Sequence, residues 1–294
     1  VGNGNLQSLL DQSKIDPAHY QTVATVFINN KGVNASFWEE IKKHEAVIGT
    51  EAINDIVSTD QTGNNSKNHI PTVTFLKSKI GSEPGKLFKK AGDIAKLDQA
   101  GLVDLINQNG KQTPDNIPGN TPDERVANYA ASMKSRAEFL YPAVSLAETV
   151  KKSNTPKITK ITEVQNFIDE HTELNFRQQN IDKYLLDKNI NLDPKVKEEL
   201  KIVQRVHKIT TNSLAGSALI GEGLHSSMQI YFMGKDRLAT MMDAKGVDKA
   251  HIHRVYESSK MQYMQVLARL MDYRREIHRG TPAAIVPHTY TKTE

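Results

Sequence analysis

The chain has 294 residues, 38% of them hydrophobic and 24% charged, which is enough apolar content to bury cores in two or three domains and too much for a disordered segment. Mean hydropathy is −0.52 and no apolar run approaches the ~20 residues needed to cross a bilayer, while the absence of cysteine excludes disulfides and thiolate metal sites. The net charge of +4 is unevenly spread: residues 201–294 carry 14 Lys and Arg against 8 Asp and Glu, so the last third is basic and the first 200 residues are slightly acidic. That third is either a solvated helical face or a contact surface for acidic partners, with Lys235, Arg237, Arg254, Arg274 and Arg275 as candidate contact residues.

In chain order the signals are helical. Leu6 to Ser13 reads as a short amphipathic helix, and Asp16-Pro17 supplies an N-cap and a first-position proline for a helix to Asn30 that turns Val23, Val26 and Phe27 inward. A Lys31-Gly32 turn follows, then a helix with Ser36 as the expected cap, Glu39 as its reciprocal partner and Trp38 as the expected core anchor. Thr50 to Val57 continues with Ile53, Ile56 and Val57 on one side, whereas Ser58 to His69 contains Gly63 and no apolar residue and reads as a loop. Val73, Phe75, Leu76 and Ile80 fit helix better than strand, given the helical surroundings. Ile94 to Ile106 reads as a short helix capped by Asp98 and closed near Gly110, and Gln112 to Thr121 is a linker or large turn.

Thr121-Pro122-Asp123-Glu124 combines cap, proline and helix-dipole acids, and Val126, Tyr129, Ala130, Met133, Ala137 and Leu140 mark one face of a helix about five turns long. Pro142 ends or kinks it and opens another helix to Val150. Lys151 to Pro156 reads as a linker, dividing an N-terminal helical domain, 1–150, from a C-terminal one, 157–280, with 281–294 as linker or tail. The C-terminal part begins with helices over Thr162–His171, Arg177–Leu186 and Pro194–Lys208, with Thr162 at the first capping position. Its longest helix, Lys249–Arg279, is expected to turn Ile252, Val255, Tyr256, Tyr263, Val266, Leu267, Leu270 and Ile277 inward and to stop at Gly280-Thr281-Pro282. With no convincing sheet, the fold class is all-α, a multi-helix array of helical hairpins.

The stretch Ser213–Leu238 is the one singled out for function. Gly221-Glu222-Gly223 separates two apolar runs, and Leu224 with the Ser226/Gln229 capping pair opens the second helix, so a glycine hairpin is expected. Gly32 begins a similar pattern, Gly32 to Phe37 matching Gly223 to Met228. The hairpin is either structural or a helix-hairpin-helix element whose backbone amides hold a phosphate; Glu222 between the glycines opposes the second reading, because a carboxylate there repels the anion. His251, His253, His225 and Glu257 are the only cluster of possible metal ligands, and only His253 and Glu257 share a helix face, too few for zinc. Paired acids such as Glu39-Glu40, Asp169-Glu170 and Glu198-Glu199 point apart on helices, and no P-loop, dinucleotide fingerprint or nucleophile elbow is present. No catalytic residue, metal or cofactor is expected.

A set of motifs spread over the chain carries a family resemblance: Phe37-Trp38-Glu39-Glu40 with His44-Glu45, Asn68-His69-Ile70-Pro71, Thr121 to Arg125 with Asn128-Tyr129-Ala130, and Gln204 to Lys208 through Gly223 to Ser227 with Tyr231 and Met233-Gly234. The pattern resembles a helical region of large bacterial proteins akin to the A component of insecticidal Tc toxins, from about Leu6 to Pro287. The resemblance implies a non-catalytic segment of the α-helical shell of a secreted or cell-surface toxin subunit, in a family that assembles as a pentamer around a translocation channel. Its partners would be other domains or subunits of that assembly. The opening VGNGNL and closing PHTYTKTE read as linker, as in a piece of a longer protein, and the cysteine count leaves the cytoplasm open as a location.

Overall fold

The computed structural model describes residues 4–153, 157–172 and 174–280. It is all-α; among the described residues the one extended pairing is a single bridge between Ile80 and Phe88. The chain divides into two compact units, Val1–Thr149 and Val150–Glu294. The first contains α1 (Gly4–Gln12), α2 (Tyr20–Asn29), α3 (Ala35–Lys43), α4 (Glu45–Ile48), α5 (Thr50–Asn65), α6 (Ile70–Lys79), α7 (Gln99–Gln108) and α8 (Pro122–Leu140). The division falls within α9 (Pro142–Ser153), and the second unit continues with α10 (Ile161–Glu170), α11 (Ile181–Asp187), α12 (Pro194–Ile209), α13 (Ser213–Gly221), α14 (Ser227–Met233), α15 (Lys235–Asp243) and α16 (Lys249–Gly280). The expected linker at Lys151–Pro156 is helical as far as Ser153; its remainder and the 281–294 tail lie outside the described residues.

Local chemistry sets both ends of these helices. Asp98, Thr121, Asn180, Asp193, Asn212 and Ser226 each accept an amide of the first turn, satisfying donors that have no partner within the helix. Six helices end alike, with one left-handed residue followed by an amide that reaches back five positions: Gly32 to Phe27, Asn68 to Gly63, Lys111 to Ile106, Ile190 to Leu185, Leu224 to Leu219 and Val247 to Met242, at 2.7 to 3.1 Å. The left-handed residues that precede the reaching amides are Lys31, Lys67, Gly110, Asn189, Gly223 and Gly246, and after Lys67 and Gly110 the next residue, Asn68 or Lys111, is left-handed too. Two caps differ from expectation. Asn34, not Ser36, caps α3 by accepting the Phe37 amide at 2.9 Å, and α10 begins after Lys160, which places Thr162 inside its first turn. The α11 segment starts after Asn180 rather than at Arg177.

In the first unit one core joins α1 to α5 around Phe37, Ile41, Val23 and Ile56, and another joins α6, the 3₁₀ turn Ala91–Lys96, α7 and α8 around Leu76, Ile94, Leu102 and Tyr129. Phe37 is the fully buried anchor; Trp38 is half-buried and packs edge-on against it with centroids 5.0 Å apart. Leu140 ends α8 on the exposed side.

The largest correction concerns Ser58–His69: α5 runs through it to Asn65 and buries Thr59, Thr62, Gly63 and Asn65. The hydroxyls make this possible by donating one turn back, Thr59 to the Asp55 carbonyl and Thr62 to the Ser58 carbonyl, both at 2.7 Å, so burial leaves them satisfied. Gly63 leaves room for the Asn68 side chain, whose oxygen would lie 2.5 Å from a Cβ at that position and would have to move to admit one. The same polar face holds an internal ion pair. Lys77 donates to Asp55 and to Thr59, both at 2.7 Å, and to the Gln12 carbonyl, tying the end of α1 to α5 and α6.

In the second unit Glu199 of α12 is 1% exposed and accepts the Thr159 amide and hydroxyl and the Lys160 amide at 2.7 to 2.9 Å, an anion set at the start of α10. Gln204 donates to the Phe176 and Gln179 carbonyls, and His207 lies buried with its ring 5.9 Å from Phe176. The long α16 departs from expectation. Ile252 and Val255 are buried, as is Ser259, but Val266 and Leu270 are exposed and Leu267 is half-buried; the Ile277 side chain lies outside the described set. Nothing within the described residues covers the distal half of this helix.

Candidate interaction surface

The glycine turn is built from the end of α13, a helix buried on nearly every side through Ala215, Gly216, Ser217, Ala218, Leu219 and Ile220. Gly221 continues that helix; only Gly223 adopts the left-handed conformation, φ +75°. The amides of Glu222, Gly223 and Leu224 are donated to the carbonyls of Ala218, Ile220 and Leu219, at 3.2, 3.0 and 2.9 Å. The His225 amide goes to the Gln229 side chain, and the Ser226 hydroxyl accepts the Gln229 amide, completing the expected capping pair. Each amide from Glu222 to His225 therefore has an internal acceptor. The Glu222 carboxylate lies 3.4 Å from the Lys245 ammonium.

The two helices joined by this turn have different main neighbours: α13 packs on α12, and α14 packs on α16. In the first unit Gly32, φ +118°, follows the left-handed Lys31, so the residue equivalent to Gly223 is Lys31 and the equivalent of Leu224 is Gly32. The sequence match between the two turns is thus displaced by one residue.

The candidate basic residues are spread along the second unit. Lys235 and Arg237 stand on the first turn of α15, Arg254 on the second turn of α16, and Arg274 and Arg275 some twenty residues further along that helix, about 30 Å away at the helical rise. Lys235 also lines a groove of about 360 Å³ between α15 and α16, with Ala239, Thr240, Asp243, Lys249, Ile252 and His253. His251 is held by Asp248, the residue that caps α16, and the described residues contain no group of three or more His, Asp or Glu able to hold a metal ion.

Sequence reasoning missed an aromatic cluster that makes α14 part of the α16 surface. Tyr231 stacks on Tyr256 and Tyr263, at 6.3 and 5.2 Å between centroids, and Phe232 sits 5.4 Å from Tyr263 with 64% of its surface exposed. The signal was the seven-residue spacing of Tyr256 and Tyr263. Beyond the cluster the apolar surface continues uncovered through Val266, Leu270 and Tyr273, exposed by 60, 48 and 61%, flanked by Met264 and Met271. None of the helices searched is long and apolar enough to cross a membrane. No protein-family model, curated protein or solved structure matches the chain.

Proposed function

We propose that this chain is a non-catalytic helical scaffold segment that docks within a larger, toxin-like assembly through the uncovered face of α16. One observation carries the reading: the residues that the helical period marks as core-facing, Val266 and Leu270 among them, lie exposed at the end of a seam that is packed over its first half. The motifs that resemble the A component of Tc toxins agree with a structural role. Thr121 to Arg125 opens α8, Asn68 to Pro71 opens α6, and Gly223 to Ser227 closes α13 and opens α14. These are caps and turns, and a secreted or cell-surface bacterial setting follows from the resemblance alone.

Nucleic-acid binding through the glycine turn is the second reading, favoured by the basic last third. Against it stand the internally donated amides of the turn, the Glu222 carboxylate and the separation of Arg254 from Arg274. Titration of the chain with duplex and single-stranded nucleic acid over a salt series tests both. Negligible, salt-independent binding is expected; micromolar affinity that falls by several powers of the salt concentration overturns the scaffold reading.

A further inference from the structure

The seam on α16 has a heptad register. Ile252, Tyr256, Ser259, Tyr263, Val266, Leu270 and Tyr273 follow one another at alternating spacings of four and three, the pattern that keeps one stripe facing a partner helix. Its first half is occupied from within the protein: Ile252 and Ser259 are buried, and Tyr256 and Tyr263 receive Tyr231 of α14. The α14 segment ends at Met233, and beyond Tyr263 the same stripe continues with no helix on it among the described residues.

The charges beside the open half say what would fit. From Ser259 to Arg275 the helix carries Lys260, Arg269, Arg274 and Arg275 against one acid, Asp272, which lies 3.8 Å from Arg275. Lys260, Arg269 and Arg274 occupy the positions that flank the stripe, where charges choose the partner. Two copies of α16 oppose each other badly there. A parallel pair sets Arg269 against Arg274 of the other copy, and an antiparallel pair centred between Val266 and Leu270 sets Arg269 against its own counterpart.

We propose that the distal part of α16, residues 264–275, is the docking seam for an amphipathic partner helix with an apolar stripe and acidic flanks. The inference rests on the scaffold reading and supplies the chemistry of its partner.

Fluorescence anisotropy with the full chain tests it, using a labelled synthetic helix with Leu at the stripe positions and Glu at the flanking ones, and its counterpart with Lys at the flanks. The Glu helix is expected to bind ~10-fold or more tightly than the Lys helix, from a few flanking pairs of modest strength each. Val266→Asp with Leu270→Asp is expected to weaken that binding ~10-fold or more while leaving the thermal unfolding midpoint in place, since both side chains are exposed. Arg269→Glu with Arg274→Glu is expected to shift the preference toward the Lys helix. Equal binding of the two helices, binding that survives the Val266 and Leu270 changes, dimerisation of the chain through those residues in sedimentation, or binding confined to phosphatidylglycerol vesicles would each overturn the proposal. Such a failure with nucleic-acid binding still absent removes this inference alone; steep salt-dependent nucleic-acid binding removes the scaffold reading beneath it.

Discussion

Replacing Asp60 with Asn should stabilise the first unit at neutral pH and leave it unchanged in acid. Asp60 lies on the polar face of α5, part-buried, where its carboxylate has the Asn64 amide as its hydrogen-bond donor at 3.1 Å. Burial pushes its pKa from the ordinary 3.8 up to about 6, with the Asn64 bond opposing. The folded chain therefore binds this proton more tightly than the unfolded chain does. Its contribution is best below the unfolded value, about pH 4, and is lost as pH rises through about 6. The difference between 3.8 and about 6 corresponds to at most ~3 kcal/mol at pH 7.5, and for a domain of this size each kcal/mol moves Tm by about 2–4 °C. Asp60→Asn removes the ionisation and keeps the shape, so urea unfolding at pH 7.5 should give a more stable variant and at pH 4 an indistinguishable one. A variant less stable than the parent at pH 7.5, or a difference that does not change with pH, would refute the argument that the carboxylate is held against its own solvation.

Acid should act oppositely through His207, whose burial, with Arg177 and Lys208 nearby, pushes its pKa from 6.5 down to about 4. Its contribution is fully present above pH 6.5 and is lost as pH falls toward 4, so His207→Gln should flatten that loss, about 3 kcal/mol, in the unfolding of the second unit. Asp55→Ala strands the Lys77 ammonium, which is only 14% exposed, and should cost about 3–5 kcal/mol by chemical denaturation; the double change Asp55→Ala with Lys77→Met should recover much of it. Gly223→Ala forces a side chain into φ +75° and should cost about 1–2 kcal/mol, whereas Lys31→Gly, relieving φ +57°, should gain a few tenths up to ~1 kcal/mol in thermal unfolding.

Helix starts were the most legible feature. Asp98, Thr121 before Pro122, Asp193 before Pro194, and Ser226 with Gln229 act as their chemistry dictates, because a cap is a local device whose partners lie within four residues. Helix ends were half legible: Gly110, Gly223 and Gly246 announce left-handed positions, but Lys31, Lys67 and Asn189 fill the same role without that mark. The Ser58–His69 stretch misled because a helix interior made of Thr, Ser, Asn and Gly looks like a loop until its hydroxyls are seen bonding one turn back. The distal half of α16 misled in the opposite direction. Periodicity reports that a face is meant to be covered and is silent about whether the cover belongs to the same chain. The aromatic cluster had the same obstacle, since Tyr231 and Tyr263 meet only after the chain has turned through α15.

The six helix ends closed by a reach-back of five residues bear on how this protein is born. Each such closure uses only chain already synthesised, so the direction in which the chain leaves a helix is set before the next helix exists. Neighbouring helices can then meet at small sequence separation, as α5 with α6 and α7 with α8 do, and assembly proceeds by accretion instead of waiting for distant segments to find each other. A nascent chain of this design should acquire protease-resistant helical pairs in order of synthesis, with the helices of the first unit paired before the open seam of α16 is made.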